Sequence, residues 1–260
     1  MFATAAPSPG ATVRTLPTTL AWVLRIATAG CFIGHGAFGV ITKAGWLPYF
    51  GVAAIPEPIA WQLMPWVGTM DILMGITMLF LPLRALAMWC VVWAVWTASL
   101  RPLSGESVWE LFERAGNFGA PLALLALAGW RGRWWTTLQP RSENIATTAM
   151  VLRLATATLL IGHAGCNLFD AKPAFLGLYQ VILPSANGSA LVAVGLFEFA
   201  LAAAVLLRPS AHLLFFVCAW KLGTEILWPF AGSPFWEFIE RFGSYGVPLA
   251  LALLLSRTRP

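Results

Sequence analysis

Charge is what this sequence has least of. Of its 260 residues 10% are Asp, Glu, Lys or Arg, while 59% are hydrophobic and the mean hydropathy is +0.76. Soluble domains carry roughly a quarter charged residues, so these few cannot cover a soluble surface, and a globular water-soluble domain is excluded. Loops between the apolar runs reach only about fifteen residues, too short for an independent domain. The four cysteines (Cys31, Cys90, Cys166, Cys218) form no C-x-x-C pair, which argues against a disulfide framework or a zinc site; no metal is expected. Also missing are a phosphate-binding glycine loop, a C-x-x-C-H haem attachment and a nucleophile elbow. The first apolar run, Leu20 to Ile41, is too long for the core of a cleavable signal. Residues 1–18, rich in Pro, Ala and Thr, read as a disordered cytoplasmic tail.

What is present is apolar sequence in runs of spanning length. A helix needs about 20 apolar residues to cross the roughly 30 Å hydrocarbon core. Eight such runs are expected, at 19–42, 59–81, 83–100 and 108–130, then 148–169, 187–207, 210–228 and 235–256. They fall into two copies. "LRIATAGCFIGHG" (24–36) recurs as "LRLATATLLIGHA" (152–164), and "VWELFERAGNFGAPLAL" (108–124) recurs as "FWEFIERFGSYGVPLAL" (235–251). Asp71 matches Glu198, Pro82 matches Pro209, Trp93 matches Trp220 and Pro102 matches Pro229. The expected fold is an all-α integral membrane protein, eight transmembrane helices in two parallel four-helix repeats, 19–130 and 148–257, joined by a cytoplasmic linker at 131–147. An even number of spans per copy makes the repeats parallel.

Basic residues set the expected orientation. Arg14, Arg84, Arg131, Arg133, Arg141, Arg208, Arg257 and Arg259 stand on the side of the termini, against Lys43, Arg101 and Lys172 opposite, so the termini are expected in the cytoplasm of a bacterial-type inner (plasma) membrane. The net charge of +5 therefore reports topology, and no nucleic-acid partner is expected. Two tryptophan belts are expected, Trp22, Trp130, Trp134 and Trp135 at one face and Trp46, Trp61, Trp109, Trp228 and Trp236 at the other. Arg25 and Arg153 read as snorkelling to lipid headgroups.

Ionisable residues within spans carry the functional question, because each is costly there. His35 sits between two glycines, which let a neighbouring backbone approach. The fourth run brings Glu110, Glu113, Arg114 and Asn117 to one helix face at i, i+3, i+4, i+7, with Ser107-x-x-Glu110 as a capping box. Packing of the first and fourth spans would lock His35 against this stripe. The second copy repeats the arrangement with His163, Glu237, Glu240, Arg241 and Ser244. Asp71 and Glu198 lie mid-membrane, placed to accept from Trp93 and Trp220. Lys221 and Glu225, at i, i+4, replace Ala94 and Ala98 of the first copy. That asymmetry points to His163, Glu198, Lys221, Glu225, Glu240 and Arg241 as the working site, with His35, Asp71, Glu110, Glu113, Arg114 and Asn117 as its structural counterpart. The competing reading makes the whole layer a polar clamp between helices.

An arginine early in the first helix, then glycine–histidine–glycine, then a lysine at its far end (Arg25, Gly34-His35-Gly36, Lys43), within a four-helix unit, resembles the DoxX-like membrane proteins. The tandem duplication departs from the usual single unit, as do Ala164 and the shifted Lys172. The resemblance implies a membrane subunit of an oxidoreductase, quinone-facing or docking other protein subunits, with quinone as electron carrier and no covalently bound cofactor. Three alternatives stand beside it. One is a small-molecule transporter or channel, disfavoured by the apparent lack of paired broken helices. Another is a b-type haem protein using His35 and His163 as axial ligands. The last is a non-catalytic assembly subunit.

Overall fold

The computed structural model describes residues 9–257, with side chains from residue 16. Among these residues the chain is helical, apart from one isolated antiparallel bridge between Leu83 and Thr137. In chain order the helices are α1 (Pro9–Val40), α2 (Leu47–Val52), α3 (Glu57–Phe80), α4 (Arg84–Leu103), α5 (Trp109–Glu113), α6 (Ala115–Ala128), α7 (Ile145–Leu168), α8 (Pro173–Ile182), α9 (Gly188–Leu207), α10 (Ala211–Glu225), α11 (Leu227–Phe230), α12 (Phe235–Glu240) and α13 (Phe242–Arg257). Seven helical stretches among them are long and apolar enough to cross a membrane, and the chain is a multi-pass helical membrane protein. In lipid every backbone N–H and C=O must find its partner internally, which the helix provides.

Local sequence sets the helix limits. Pro58 occupies the first turn of α3, where the missing N–H costs nothing, and Glu57 lies at the same positive helix end. The Asn187 side chain accepts from the Ser189 amide at 2.9 Å to start α9, and Ser210 accepts from the Leu213 amide at 3.2 Å to start α10. The linker after α6 folds back on the start of α4: the Arg84 and Ala85 amides donate to Thr136 and Trp134 carbonyls, and the Arg84 guanidinium donates to the Gly129 carbonyl. These bonds satisfy amides that the first turn of α4 cannot pair within itself.

Four helices, α1, α6, α7 and α13, form the centre. Their meeting faces bury Leu20, Leu24, Leu124, Leu127, Leu152, Leu160 and Leu251 almost completely. Each carries one outer helix: α3 packs on α1, α4 on α6, α9 on α7 and α10 on α13. The outer helices expose large apolar side chains such as Leu73, Phe80, Val92, Leu196 and Phe216, a surface suited to lipid contact.

Chain halves interlock rather than pack as separate bundles. α1 meets α12 and α13, while α7 meets α5 and α6. Glycine makes these crossings possible. A Cβ on Gly34 would overlap the Glu240 backbone, and one on Gly162 would overlap the Glu113 backbone. At the crossing of α6 and α13, Gly116 and Gly243 leave room only for each other's backbone. The histidine-flanking glycine thus exists to admit the other half's helix.

Several expectations need correction. α1 begins at Pro9, so residues 9–18 are helical where a disordered tail was expected; residues 1–8 lie outside the described ones. The last apolar run of each half is broken, at Arg114 between α5 and α6 and at Arg241 between α12 and α13, so paired discontinuous helices are present after all. Both arginines take bridge-region angles (φ −88°, ψ 9° and φ −92°, ψ 12°) and their amides bond three residues back, to Leu111 and Phe238. Ser107 accepts from the Trp109 amide, and the Glu110 side chain turns to cations, so the capping box forms only in part. Helices α2 and α8, in stretches expected as plain loops, were not anticipated.

Candidate functional site

A cavity of about 230 Å3 opens between α3 and α4, which barely touch, under a roof formed by α2. Its walls are largely aromatic and aliphatic: Phe32, Trp46, Tyr49, Phe50, Leu63, Val67, Trp93 and Trp96. Its polar layer is His35, Arg101, Arg114, Asn117 and Glu240. His35 is fixed from two sides. Its Nδ1 lies 2.8 Å from Asp71 Oδ2 on α3, and its ring stacks on Trp46 with centroids 4.5 Å apart. Asp71 is fully buried, so the carboxylate serves the histidine from behind. With Nδ1–H donated to that carboxylate, Nε2 is left as the acceptor.

The corresponding region of the second half is filled. The space among His163, Phe175, Tyr179, Glu198, Lys221 and Glu225 amounts to about 10 Å3, too little for more than a water. Lys221 Nζ lies 3.0 Å from Glu225 and 3.4 Å from Glu198, and all three side chains are buried. Glu198 also accepts from Trp220 Nε1 at 3.1 Å, and Glu225 from Trp228 Nε1 at 3.1 Å. His163 Nε2 stands 3.4 Å from Glu225, and its ring stacks on Phe175.

Between the two regions runs a chain of ion pairs. Arg101 and Arg114 hold Glu110 (3.4 and 3.1 Å), Arg114 and Arg241 hold Glu113 (3.3 and 2.5 Å), and Arg241 reaches Glu237 (2.8 Å) and Glu225 (3.4 Å). Lys172 docks on Glu110 at 2.5 Å, and Lys43 docks on Glu237 at 3.3 Å. Each loop lysine therefore crosses to the other half. Glu110, Glu113 and Cys166 gather within 4.8 Å, a grouping that could hold a metal ion. Lys172, Arg114 and Arg241 already supply positive charge there, so a further cation has little to gain.

The cavity roof is latched. Tyr49 on α2 donates to Glu106, which also pairs with Arg101 at 3.0 Å. The roof segment is flanked by Thr42 and Ala54, both at φ +56°, a left-handed conformation costly for residues with a Cβ, most of all a β-branched one. Burial pushes the Glu106 carboxyl up, but Arg101 beside it and the Tyr49 and Arg101 hydrogen bonds outweigh this and hold it below the ordinary carboxylate range. Burial pushes the Tyr49 phenol well up, against the pull of Arg101.

The expected site residues are thus divided. His163, Glu198, Lys221, Glu225 and Arg241 come together as a closed network, whereas Glu240 lines the first-half cavity with His35, Arg114 and Asn117, because α12 packs against α1. Among the described residues the Glu240 carboxylate makes no hydrogen bond or ion pair. His35 does not meet its own half's glutamates; it meets Asp71. Glu113 pairs with the opposite half's Arg241. Trp220 donates to Glu198 as expected, but Trp93 Nε1 and Asp71 Oδ1 are both buried and unpaired; aspartate is one methylene shorter than Glu198. The two histidines lie in different pockets, each on its own aromatic partner, an arrangement unsuited to sharing one haem. Trp46 and Trp228, expected at an interfacial belt, are buried. Arg153, expected to snorkel, instead donates to the Val205 and Leu206 carbonyls at the end of α9. The residues that sequence reasoning missed are Tyr49, Trp46 and Glu106. Tyr49 and Trp46 belong to an aromatic cluster in a stretch expected as a loop that is helical, while Glu106, in the turn after α4, carried no signal. No protein-family model, curated protein or solved structure matches the chain.

Proposed function

We propose that the first-half cavity is a binding site for an apolar ring compound of the quinone class, taken from the outer leaflet, and that the chain is the membrane subunit of an oxidoreductase assembled with other polypeptides. The observation that carries this is the gap between α3 and α4: an apolar, aromatic-walled opening between helices that ends at a histidine, an arginine and a carboxylate. Aromatic walls stack a ring, and the polar layer supplies hydrogen bonds to ring oxygens. On this reading the chain is a tandem DoxX-like protein of eight spans in two parallel repeats, α5 and α6 together making the fourth. Trp109 to Ala128 at 1.5 Å per residue covers about 30 Å. The basic residues near the chain ends favour cytoplasmic termini, and a reporter fused after Pro260 should register there.

A through-pathway finds little support. Beneath the cavity the central helices meet on buried leucines and alanines, so the opening reads as a pocket. The test is titration of the detergent-solubilised protein with a decyl-tailed benzoquinone, read as quenching of tryptophan fluorescence, since Trp46, Trp93 and Trp96 line the site. Saturable quenching is expected, and Ala94→Phe should abolish it by filling the cavity. Quenching that Ala94→Phe leaves unchanged would sink the proposal.

A further inference from the structure

We infer that the cavity recognises the reduced, hydroxyl-bearing form of its ring ligand in preference to the oxidised form, because the Asp71–His35 pair turns a hydrogen-bond acceptor into the site. This rests on the binding site proposed above and adds its selectivity. His35 Nδ1 lies 2.8 Å from the buried Asp71 carboxylate; in the tautomer whose proton is donated to that carboxylate, Nε2 is left as a lone pair. A second acceptor on the cavity wall is the Glu240 carboxylate, which makes no hydrogen bond or ion pair among the described residues. Arg114, the guanidinium at the same layer, is engaged by Glu110 and Glu113. The donor on the wall that has no partner among the described residues is the Asn117 side-chain amide, whereas Trp93 Nε1 is unpaired but itself buried.

An aromatic hydroxyl satisfies this set in both directions. It donates its O–H to His35 Nε2 or Glu240 and accepts from the Asn117 amide. A quinone carbonyl only accepts, so it can serve Asn117 but leaves the His35 lone pair and the Glu240 carboxylate facing an oxygen with no hydrogen between them. Buried acceptors without donors are penalised more than a made bond is rewarded, so the difference falls on the oxidised form. The second half shows what replaces the ligand when no ligand is needed: Lys221 supplies the N–H donors to Glu198 and Glu225, and Trp220 pairs with Glu198. Asp71, being shorter, leaves Trp93 Nε1 buried and unpaired.

The probes are decyl-tailed benzoquinone and its hydroquinone, compared anaerobically by tryptophan quenching. The hydroquinone should bind about tenfold tighter to the unaltered protein, the worth of one hydrogen bond. Asp71→Asn should reverse that preference: the amide donates to Nδ1, the imidazole proton moves to Nε2, and the histidine then presents a donor suited to the quinone carbonyl. His35→Gln, at a partly exposed side chain, is the second variant; a glutamine amide offers both donor and acceptor, so the two forms should bind within about threefold. If neither form binds the unaltered protein, the binding site itself is wrong. If both bind but with equal affinity, or if Asp71→Asn and His35→Gln keep the hydroquinone preference, the site stands and the Asp71–His35 selectivity is overturned.

Discussion

Equivalent positions in the two halves have opposite fates. In the first, Ala94 lines a cavity of about 230 Å3 beside His35; in the second, Lys221, at the position the sequence alignment pairs with Ala94, joins Glu225, Glu198 and His163 in a closed network around about 10 Å3. An open pocket thus stands in one half where a plug of ion pairs stands in the other. A buried pair repays its desolvation only with good geometry and further hydrogen bonds, and here Trp220, Trp228 and Arg241 supply them. The second half's network is closed, and the first half's cavity is open.

The largest expected effect tests that contrast. Arg241→Ala takes one cation from each of Glu113, Glu225 and Glu237, leaving them Arg114, Lys221 and Lys43, whereas Arg114→Ala weakens two carboxylates and leaves Glu110 with Lys172 and Arg101, and Glu113 with Arg241. Breaking a buried pair costs roughly 3–5 kcal/mol; Arg241→Ala, which breaks three, should cost clearly more than Arg114→Ala. Melting temperature and yield of monodisperse protein measure both. Equal losses would mean that neither half dominates stability.

The next effect is a non-additivity. Lys221→Ala alone leaves Glu198 buried without a cation and Glu225 with Arg241 as its remaining one, and should cost about 3 kcal/mol or more. Adding Glu225→Ala restores the first half's pattern, and the double variant should be more stable than the single one, by about 1–2 kcal/mol. It should also open a second cavity, detectable as a second equivalent of bound probe. A double variant less stable than Lys221→Ala would refute the plug. The reciprocal graft, Ala94→Lys with Ala98→Glu, should close the first cavity and cut probe affinity at least about tenfold, with a smaller change in melting temperature.

Much of this was legible in the sequence. The helical membrane class follows from composition and the long apolar runs, because the bilayer allows few ways to hide a backbone. Pairing was not legible. Spacing puts Glu110, Glu113 and Arg114 on one helix face, but not Arg241 opposite Glu113, since that depends on which half each fourth helix packs against. The glycines at 34 and 162 signalled a close crossing without naming the helix that crosses. Site openness was the hardest to read. Lys221 and Glu225 stand out as costly and so invite a functional reading, whereas Ala94, which lines the space, carries no signal of its own.

The smallest effect concerns the roof over the first-half cavity. Tyr49 and Arg101 meet at Glu106, and the pH window follows from the two shifts. The Glu106 carboxyl is held below its ordinary range in the folded protein, so its contribution is complete above the ordinary value near 4 and is lost as pH falls through the lowered one. The Tyr49 phenol is raised, so its contribution is complete below its ordinary value near 10 and is lost only as pH rises through the raised one. The latch should therefore hold unchanged across pH 5–9. Glu106 is partly exposed, so solvent screening keeps the pair below about 1 kcal/mol. Hydrogen exchange of the α2 amides, Leu47 to Val52, gives the measurement: Glu106→Gln should speed exchange by less than about fivefold at neutral pH, with no change in α8. Faster exchange in both segments would make the effect global instead, and the roof would not be an independent element.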